Sequence, residues 1–196
     1  GGVLGRLRKG ETLLEDELIL DFTVEDASFN TYRDFPVINK ANGTGRLRGI
    51  SFTADISKGE ALSSFGDVVA LSDGQFHIAD TRFPNPQADI RFTAEGKAKD
   101  IGEISERAPV KALAHASLLA SDLGGEAKTS VHVSLPLGQE LTAEDIAWKA
   151  DIDLKDFSSK APIDGRKIDK ATARISIVPT LMSVIGKGEI DGIEAD

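Results

Sequence analysis

Three closely spaced aspartates are the strongest candidates for a cation site in this sequence. Asp151, Asp153 and Asp156 supply carboxylate oxygens, which are ligands that Ca²⁺ prefers. A calcium loop also needs a glycine at its sixth position and a glutamate at its end, and Asp156 and the serine-rich residues 157–159 do not fit that pattern. Because Asp151 and Asp153 fall in a segment that alternates like a β-strand, we interpret them as solvated charges on a strand.

The histidines and the remaining candidate nucleophiles form no catalytic or metal-binding pattern. His77, His115 and His132 fall in a predicted strand, helix and strand, and their spacing is not that of zinc ligands. The chain has no cysteine and no Gly-x-Ser-x-Gly elbow, and no carboxylate pair stands out from the surface charge. The sequence therefore predicts a protein that is not an enzyme and that needs no cofactor and no metal.

A glycine-rich segment is superficially similar to a dinucleotide fingerprint. Gly43, Gly45 and Gly49 come in sequence, but the third glycine is one position late and no helix is predicted after it. Arg46 and Arg48 lie within this segment and share one face of a predicted strand. They could meet phosphate head groups, although a role in surface solubility is the other interpretation.

The composition is that of a folded protein without a nucleic-acid partner. Its 196 residues are 40% hydrophobic and 28% charged, and a chain of this length can bury roughly 70% of its unfolded surface. The net charge is −9 and no block of lysines or arginines is present, so phosphate neutralisation is not expected. No run approaches the ~18 apolar residues of a membrane span. The lack of cysteine fits either the cytosol or a periplasm.

Apolar and polar residues alternate in three segments, residues 18–25, 50–57 and 145–155. This period of two predicts half-buried strands with one apolar face, and weaker strands are predicted between residues 67 and 190. A second sheet could cover the apolar face and close a sandwich, or a ligand with its own apolar surface could cover it. The residues that we expect on an apolar groove are Leu18, Leu20, Phe22, Val24, Ile50, Phe52, Ile56, Ile146, Trp148, Ile152 and Leu154.

Turns and helices are predicted from local composition. The segments Asn42-Gly43 and Ser72-Asp73-Gly74 predict turns, because Gly, Asn and Asp tolerate a positive φ. Residues 98–121 are rich in Ala, Leu, Glu and Lys and predict one or two short helices, the second over residues 110–120. These helices are expected to cap one end of the sheet or cover one edge.

An internal repeat divides the chain. Residues 18–47 recur as residues 148–177 at a constant offset of 130, and Lys58-Gly59-Glu60 returns as residues 187–189 after a one-residue slip. This pattern predicts a first unit over residues 1–126 and a partial second unit over residues 127–196, stacked in one continuous sheet. The identical residues include Asp21, Asp26, Ser28, Ile38, Lys40 and Ala41, which match Asp151, Asp156, Ser158, Ile168, Lys170 and Ala171.

Five short motifs resemble a known repeating unit. They are Val-Glu-Asp-Ala-Ser-Phe at residues 24–29, Phe-Pro-Val-Ile at 35–38, Ala-Asn-Gly-Thr-Gly-Arg-Leu at 41–47, the strand at 52–59 and Ser-Leu-Pro-Leu-Gly at 134–138. Together they resemble the unit of AsmA-like envelope proteins, specifically their YhdP branch. The second copy departs from this pattern at residues 161–165, which replace the loop that contains Phe35 and Pro36.

The resemblance implies a fold and a function. It implies a mainly β protein whose extended, twisted and curved antiparallel sheet forms an open groove or half-barrel. It also implies a periplasmic segment of a protein anchored in the inner membrane of a Gram-negative bacterium. The implied partners are phospholipid acyl chains bound for the outer membrane, adjacent repeat units of the same chain, and the membrane through parts outside this piece. The alternative function is a closed β-sandwich that acts as a structural or adaptor module of the cell envelope.

Overall fold

The structure, a computed structural model, describes residues 18–31, 34–82, 84, 86–107, 113, 118–137 and 145–195. These residues form a mainly β protein built on one ten-stranded antiparallel sheet, which is not closed, and the strands follow one another in chain order. The strands are β1 (Ile19–Phe29), β2 (Ile38–Arg48), β3 (Ser51–Leu62), β4 (Val68–Ile78), β5 (Gln87–Lys97), β6 (Leu123–Pro136), β7 (Ala147–Ser159), β8 (Ile168–Val178), β9 (Leu181–Ile190) and β10 (Ile193–Ala195).

The helical prediction is confirmed in its first part. Helix α1 (Ala98–Ser105) follows β5, and a 3₁₀ turn over Ala120–Asp122 precedes β6. Most of the second predicted helix, residues 110–120, lies outside the described residues. β5 and β6 are neighbours in the sheet, and α1 lies within the long connection between them.

The strand alternation is confirmed, but the two predicted turns are wrong. Asn42-Gly43 lies inside β2 and Ser72-Asp73-Gly74 lies inside β4, so the chain does not reverse at either place. The reversal between β2 and β3 comes instead at Gly49 and Ile50, where Gly49 has a φ of 56°. The tolerance of Asp73 for a positive φ, 52°, serves a β-bulge rather than a turn.

Bulges keep one face of the sheet apolar along the full length of the strands. In β1 the apolar residues occupy even positions up to Val24 and odd positions from Ala27, and the pairing with β2 shifts between these two residues. Without a bulge to accommodate the extra residue, every later side chain of the strand would point to the other face. The residues with positive φ that accompany such switches are Asp26, Lys40, Asp73, Asp156 and Lys170.

The sequence repeat has a counterpart in the backbone. Phe22 is opposite Gly45 in the pair β1–β2, and Ile152 is opposite Ile175 in the pair β7–β8, again 130 residues later. The bulges repeat too, since Lys40 and Lys170 both have a φ of 50°. The sheet runs without interruption through β6, where the predicted boundary between residues 126 and 127 falls.

The core lies at one end of the apolar face. Ala98 of α1 packs with Leu123 and Ala127 of β6 and with Leu154 and Phe157 of β7. Gly102 allows this approach, because a Cβ at that position would lie 3.0 Å from the Cδ1 atom of Leu123. Helix α1 therefore covers one end of the face above the middle strands.

Candidate functional site: an open apolar face

The apolar face is built from residues that lie directly opposite one another on successive strands. Residues in such register project from the same side of a sheet, so a row of pairs defines a continuous surface. The first row runs from β1 to β7 through Phe22, Gly45, Ala54, Phe76, Ile90, Val133 and Trp148. A second row runs from β5 to β9 through Phe92, Val131, Ala150, Ile177 and Met182.

Large apolar side chains remain accessible on this face. Leu20 is 52% exposed and Phe22 39% on β1, and Met182 is 58% and Val184 56% exposed on β9. Trp148, in the middle of the sheet, is half-buried between its strand neighbours. The face therefore leaves apolar surface accessible on both β1 and β9.

Three phenylalanines form an aromatic cluster in the open part of the face. The rings of Phe22 and Phe52 are stacked with centroids 6.4 Å apart, and those of Phe52 and Phe76 meet edge to face at 6.1 Å. Gly45 makes room for this cluster, because a Cβ there would lie 2.0 Å from the Cζ atom of Phe22. The cluster spans β1 to β4 on the apolar face.

The predicted groove residues divide between the open and covered ends. Ile152 and Leu154 pack against the core beneath the helical segment, and Leu154 is only 9% exposed. Three others flank strands: the Leu18 carbonyl accepts from the Gly49 N–H at 2.8 Å, Ile50 lies in the turn before β3, and Ile146 is buried just before β7. The remaining predicted residues are on the face itself: Leu20, Phe22, Val24, Phe52, Ile56 and Trp148.

Several residues of the face were missed by the groove prediction. Phe76, Ile90, Val131 and Val133 carry the middle of the two rows. The alternation in residues 74–79, 89–95 and 128–135 contains the signal that would have found them. A complete description of the face needs this alternation to be combined with the strand order, because only pairing decides which alternate residues share a side.

The opposite face is polar, and its charged side chains form ion pairs between neighbouring strands. Arg46 donates from Nε to Asp21 Oδ1 at 2.6 Å, and Arg48 donates from Nη2 to Asp21 Oδ2 at 3.3 Å. The hydrogen bond from Arg46 lowers the pKa of the Asp21 carboxyl from its ordinary value. Both arginines thus contact an aspartate of their own sheet and neutralise its charge.

The three aspartates of the candidate cation site do not converge. Asp151 contacts Lys149 at 2.8 Å and accepts from Ser176 at 2.6 Å, and these two hydrogen bonds lower the pKa of its carboxyl. Asp153 accepts instead from Arg174 at 2.7 Å. Asp156 is the bulge residue of β7. Among the described residues no three His, Asp or Glu side chains are grouped to hold a metal ion.

The histidines that the structure describes lie on the polar face. His132 Nε2 lies 2.6 Å from Asp89 Oδ2, and Ser134 donates to the same carboxylate oxygen at 2.9 Å. The serine therefore bonds the aspartate and not the imidazole, so this group lacks the serine–histidine contact that activates a nucleophile. His77 contacts Thr53 at 3.0 Å, and His115 lies outside the described residues.

A depression of about 610 Å³ lies on the polar side. It is lined by a cross-strand row that includes Thr23, Thr44, Asp55, Gln75 and Arg91. Gln75 donates to Asp55 at 3.0 Å within this row, so part of the lining is already hydrogen-bonded. The presence of this depression does not by itself make the polar face the functional one.

None of the helices that the structure describes has both the length and the apolar character needed to span a membrane.

Comparison with protein-family models, with curated proteins and with solved structures finds nothing that matches this chain.

Proposed function

We propose that this chain is a segment of a periplasmic, bridge-like lipid transport protein, whose open apolar face carries phospholipid acyl chains between the inner and outer membranes. The observation that supports this most directly is the pair of apolar rows across β1–β9 with large side chains left accessible. The resemblance to AsmA-like envelope proteins leads to the same proposal, including anchorage in the inner membrane of a Gram-negative bacterium through parts outside this piece.

The energetics of the face suit a carrier of hydrocarbon. Burying one methylene group is worth about 0.8 kcal/mol, whether it leaves water for a bilayer or for a protein surface. An acyl chain that passes from lipid to Phe22, Phe52 and Phe76 exchanges one apolar environment for another. Transfer along such a surface therefore needs no deep binding well.

The direction of the apolar rows suits a path between membranes. The rows run across the strands, and neighbouring strands are ~4.8 Å apart, so nine strands extend for roughly 40 Å. The same arrangement of bulges and pairs recurs after 130 residues, at Asp26 and Asp156. Adjacent repeat units would lengthen the path by the same geometry.

The alternative function required a closed β-sandwich. The described residues form a single sheet, and within them only the segment around α1 lies over the apolar face, at one end. A structural or adaptor role would then depend on a protein partner that covers the rest of the face. We favour the lipid proposal because the face carries no charged residue in either apolar row.

Native mass spectrometry tests the proposal directly. The purified chain is incubated with vesicles of phosphatidylethanolamine and phosphatidylglycerol, separated from them, and measured under non-denaturing conditions. We expect adducts with the mass of one or more phospholipids. A chain that stays folded and carries none after this exposure contradicts the proposal.

A matched pair of variants locates the lipid on one face. Phe22→Glu places a carboxylate on the apolar face, and Thr23→Glu places the same charge on the next residue of β1, on the polar face. Both positions are exposed, so neither change should unfold the sheet. The Phe22 variant should lose lipid adducts relative to the Thr23 variant. Equal loss from both would place the lipid elsewhere.

A further inference from the structure

We propose that the hydroxyl of Thr129 recognises the acyl ester carbonyl of a glycerophospholipid on the apolar face. The carbonyl oxygen would accept the hydrogen bond that this hydroxyl does not make to any of the described residues. The proposal rests on the proposed function, because it names the chemical group of the lipid that the face distinguishes. It makes Thr129 a residue that determines specificity, beyond the general affinity of the face for hydrocarbon.

The Thr129 side chain is buried without a hydrogen-bond partner. Only 6% of the residue is exposed, and within the part of the chain that the structure describes its Oγ1 atom makes no hydrogen bond. An unpaired buried hydroxyl destabilises a fold, whereas valine has nearly the same shape and avoids this penalty. Threonine at this position therefore calls for a partner that the described residues do not supply.

Thr129 lies on the apolar face, in the row next to the second apolar row. It is directly opposite Ala94 of β5 and Ile152 of β7. The row continues from Ile152 to Ile175 of β8 and Val184 of β9. Of these five residues, Thr129 alone carries a polar side chain, so its hydroxyl is surrounded within the row by hydrocarbon.

The hydroxyl lies where the open part of the face meets the covered end. Val131 of the second row is two residues away along β6, and Ala127 of the core is two residues away in the other direction. Residues two apart on a strand are ~6.8 Å apart, so a lipid carbonyl over Val131 is within one row of Oγ1. Val131 and Ile152 are half-buried, and Val184 in the row of Thr129 is 56% exposed. We expect the Ile152 side chain to move aside when the lipid binds.

The surroundings decide which chemical group can be the partner. The row of Thr129 has no charged side chain that could compensate a carboxylate, and burying an unpaired charge costs far more than burying a neutral carbonyl. This favours an acyl ester over a free fatty acid. An ester carbonyl is attached directly to the acyl chain, so it can enter an apolar row together with its hydrocarbon while the head group stays in water. Where water is excluded, the hydrogen bond from the Thr129 O–H is stronger than at the surface.

A comparison of ester and ether lipids tests the proposal in the intact chain. Phosphatidylglycerol with two ester-linked chains and its diether analogue have the same head group, but only the first has acyl carbonyls. Vesicles that contain equal amounts of both are incubated with the protein, and native mass spectrometry measures the ratio of the two adducts. The wild-type chain should carry the diester lipid in about three- to ten-fold excess, as expected for one net hydrogen bond.

Matched variants show whether Thr129 makes this distinction. Thr129→Val removes the hydroxyl and should fold at least as stably as the wild type, because it removes an unpaired polar group. This variant should carry the two lipids equally. Thr129→Ser keeps a hydroxyl and should keep the preference. Ser130→Ala removes a hydroxyl from the next residue, which lies on the polar face opposite Asp151, and should also keep it.

The outcomes separate this proposal from the proposed function. A wild-type chain that carries both lipids equally, or a folded Thr129→Val variant that retains the preference, overturns the role of Thr129 and leaves lipid carriage intact. A folded wild-type chain that carries neither lipid contradicts the proposed function, and this proposal with it. The comparison of the two lipids on the wild-type chain is decisive even if a variant fails to fold.

Discussion

Asp26 of β1 and Asp156 of β7, which are 130 residues apart, have nearly the same φ angle, 48° and 50°. Each lies at a bulge where the apolar positions of its strand change from even to odd. The bulge at each residue therefore keeps the apolar side chains of the whole strand on one face of the sheet. Without it, the apolar side chains after the bulge would point to the opposite, polar face.

The strained φ at these bulges predicts an asymmetry between neighbouring positions. Asp156→Val should lower the free energy of unfolding by about 1–3 kcal/mol, because a β-branched residue is costly at positive φ. Lys155→Val is the matched control, an exposed residue of the same strand without positive φ, and should change stability by less than about 0.5 kcal/mol. Urea denaturation measures both. Equal losses would mean that the bulge carries no strain.

The alternation of residue types was sufficient to predict the strands and the existence of one apolar face. In residues 145–155 every even position is apolar, and the structure places Trp148, Ala150 and Ile152 on one side of β7. The bulges could not be predicted with the same rule. Asp73 tolerates a positive φ equally well in a turn and in a bulge, and only the pairing of β4 with β5 decides between them.

What covers the apolar face also could not be predicted from the sequence. Alternation shows that a face is apolar but not what lies over it, so a second sheet and a ligand both remained possible. The structure resolves the end near Leu154, where the segment around α1 packs on the sheet. In β4 the apolar residues change from odd positions, Val69 and Leu71, to even positions, Phe76 and Ile78. Such a change is the sequence signal that could have located the bulges.

The attachment of α1 depends on a buried carboxylate. Asp100 is fully buried, its Oδ1 accepts from Ser63 at 2.5 Å, and its Oδ2 has no hydrogen-bond partner among the described residues. Asp100→Ala should lower the free energy of unfolding by about 1–3 kcal/mol, since it removes the acceptor of the buried Ser63 O–H. Asp100→Asn keeps an acceptor for the Ser63 hydroxyl, so it should lower the free energy of unfolding by less than Asp100→Ala does.

Thermal and urea denaturation of these two variants measures how much the hydrogen bond from Ser63 contributes. If Asp100→Asn destabilises as much as Asp100→Ala, this hydrogen bond does not account for the loss of stability. If neither variant changes stability, the contact between α1 and the β3–β4 connection contributes nothing measurable.

The cross-strand aspartates predict a loss of stability in acid. Hydrogen bonds from His132 and, secondarily, Ser134 lower the pKa of Asp89, and those from Lys149 and Ser176 lower that of Asp151. A depressed carboxyl pKa favours the folded state above the unfolded value of about 3.9 and loses that contribution as the pH falls through the folded pKa. The urea concentration at which half of the protein is unfolded should therefore decrease as the pH falls below about 4. Asp89→Asn and Asp151→Asn should each make this decrease smaller. Unchanged pH dependence in both variants would contradict this assignment.

The single tryptophan offers a direct test of hydrocarbon contact on the apolar face. Trp148 lies opposite Val133 in the first apolar row and is half-buried, so bromine atoms on an acyl chain in that row would quench its fluorescence. Vesicles of phosphatidylcholine brominated in the middle of the acyl chain should quench Trp148 more than unbrominated vesicles do. The Phe22→Glu variant should show less quenching than Thr23→Glu. Quenching that is absent, or that a water-soluble bromide salt matches, would show that Trp148 contacts water or protein and that acyl chains do not reach this row.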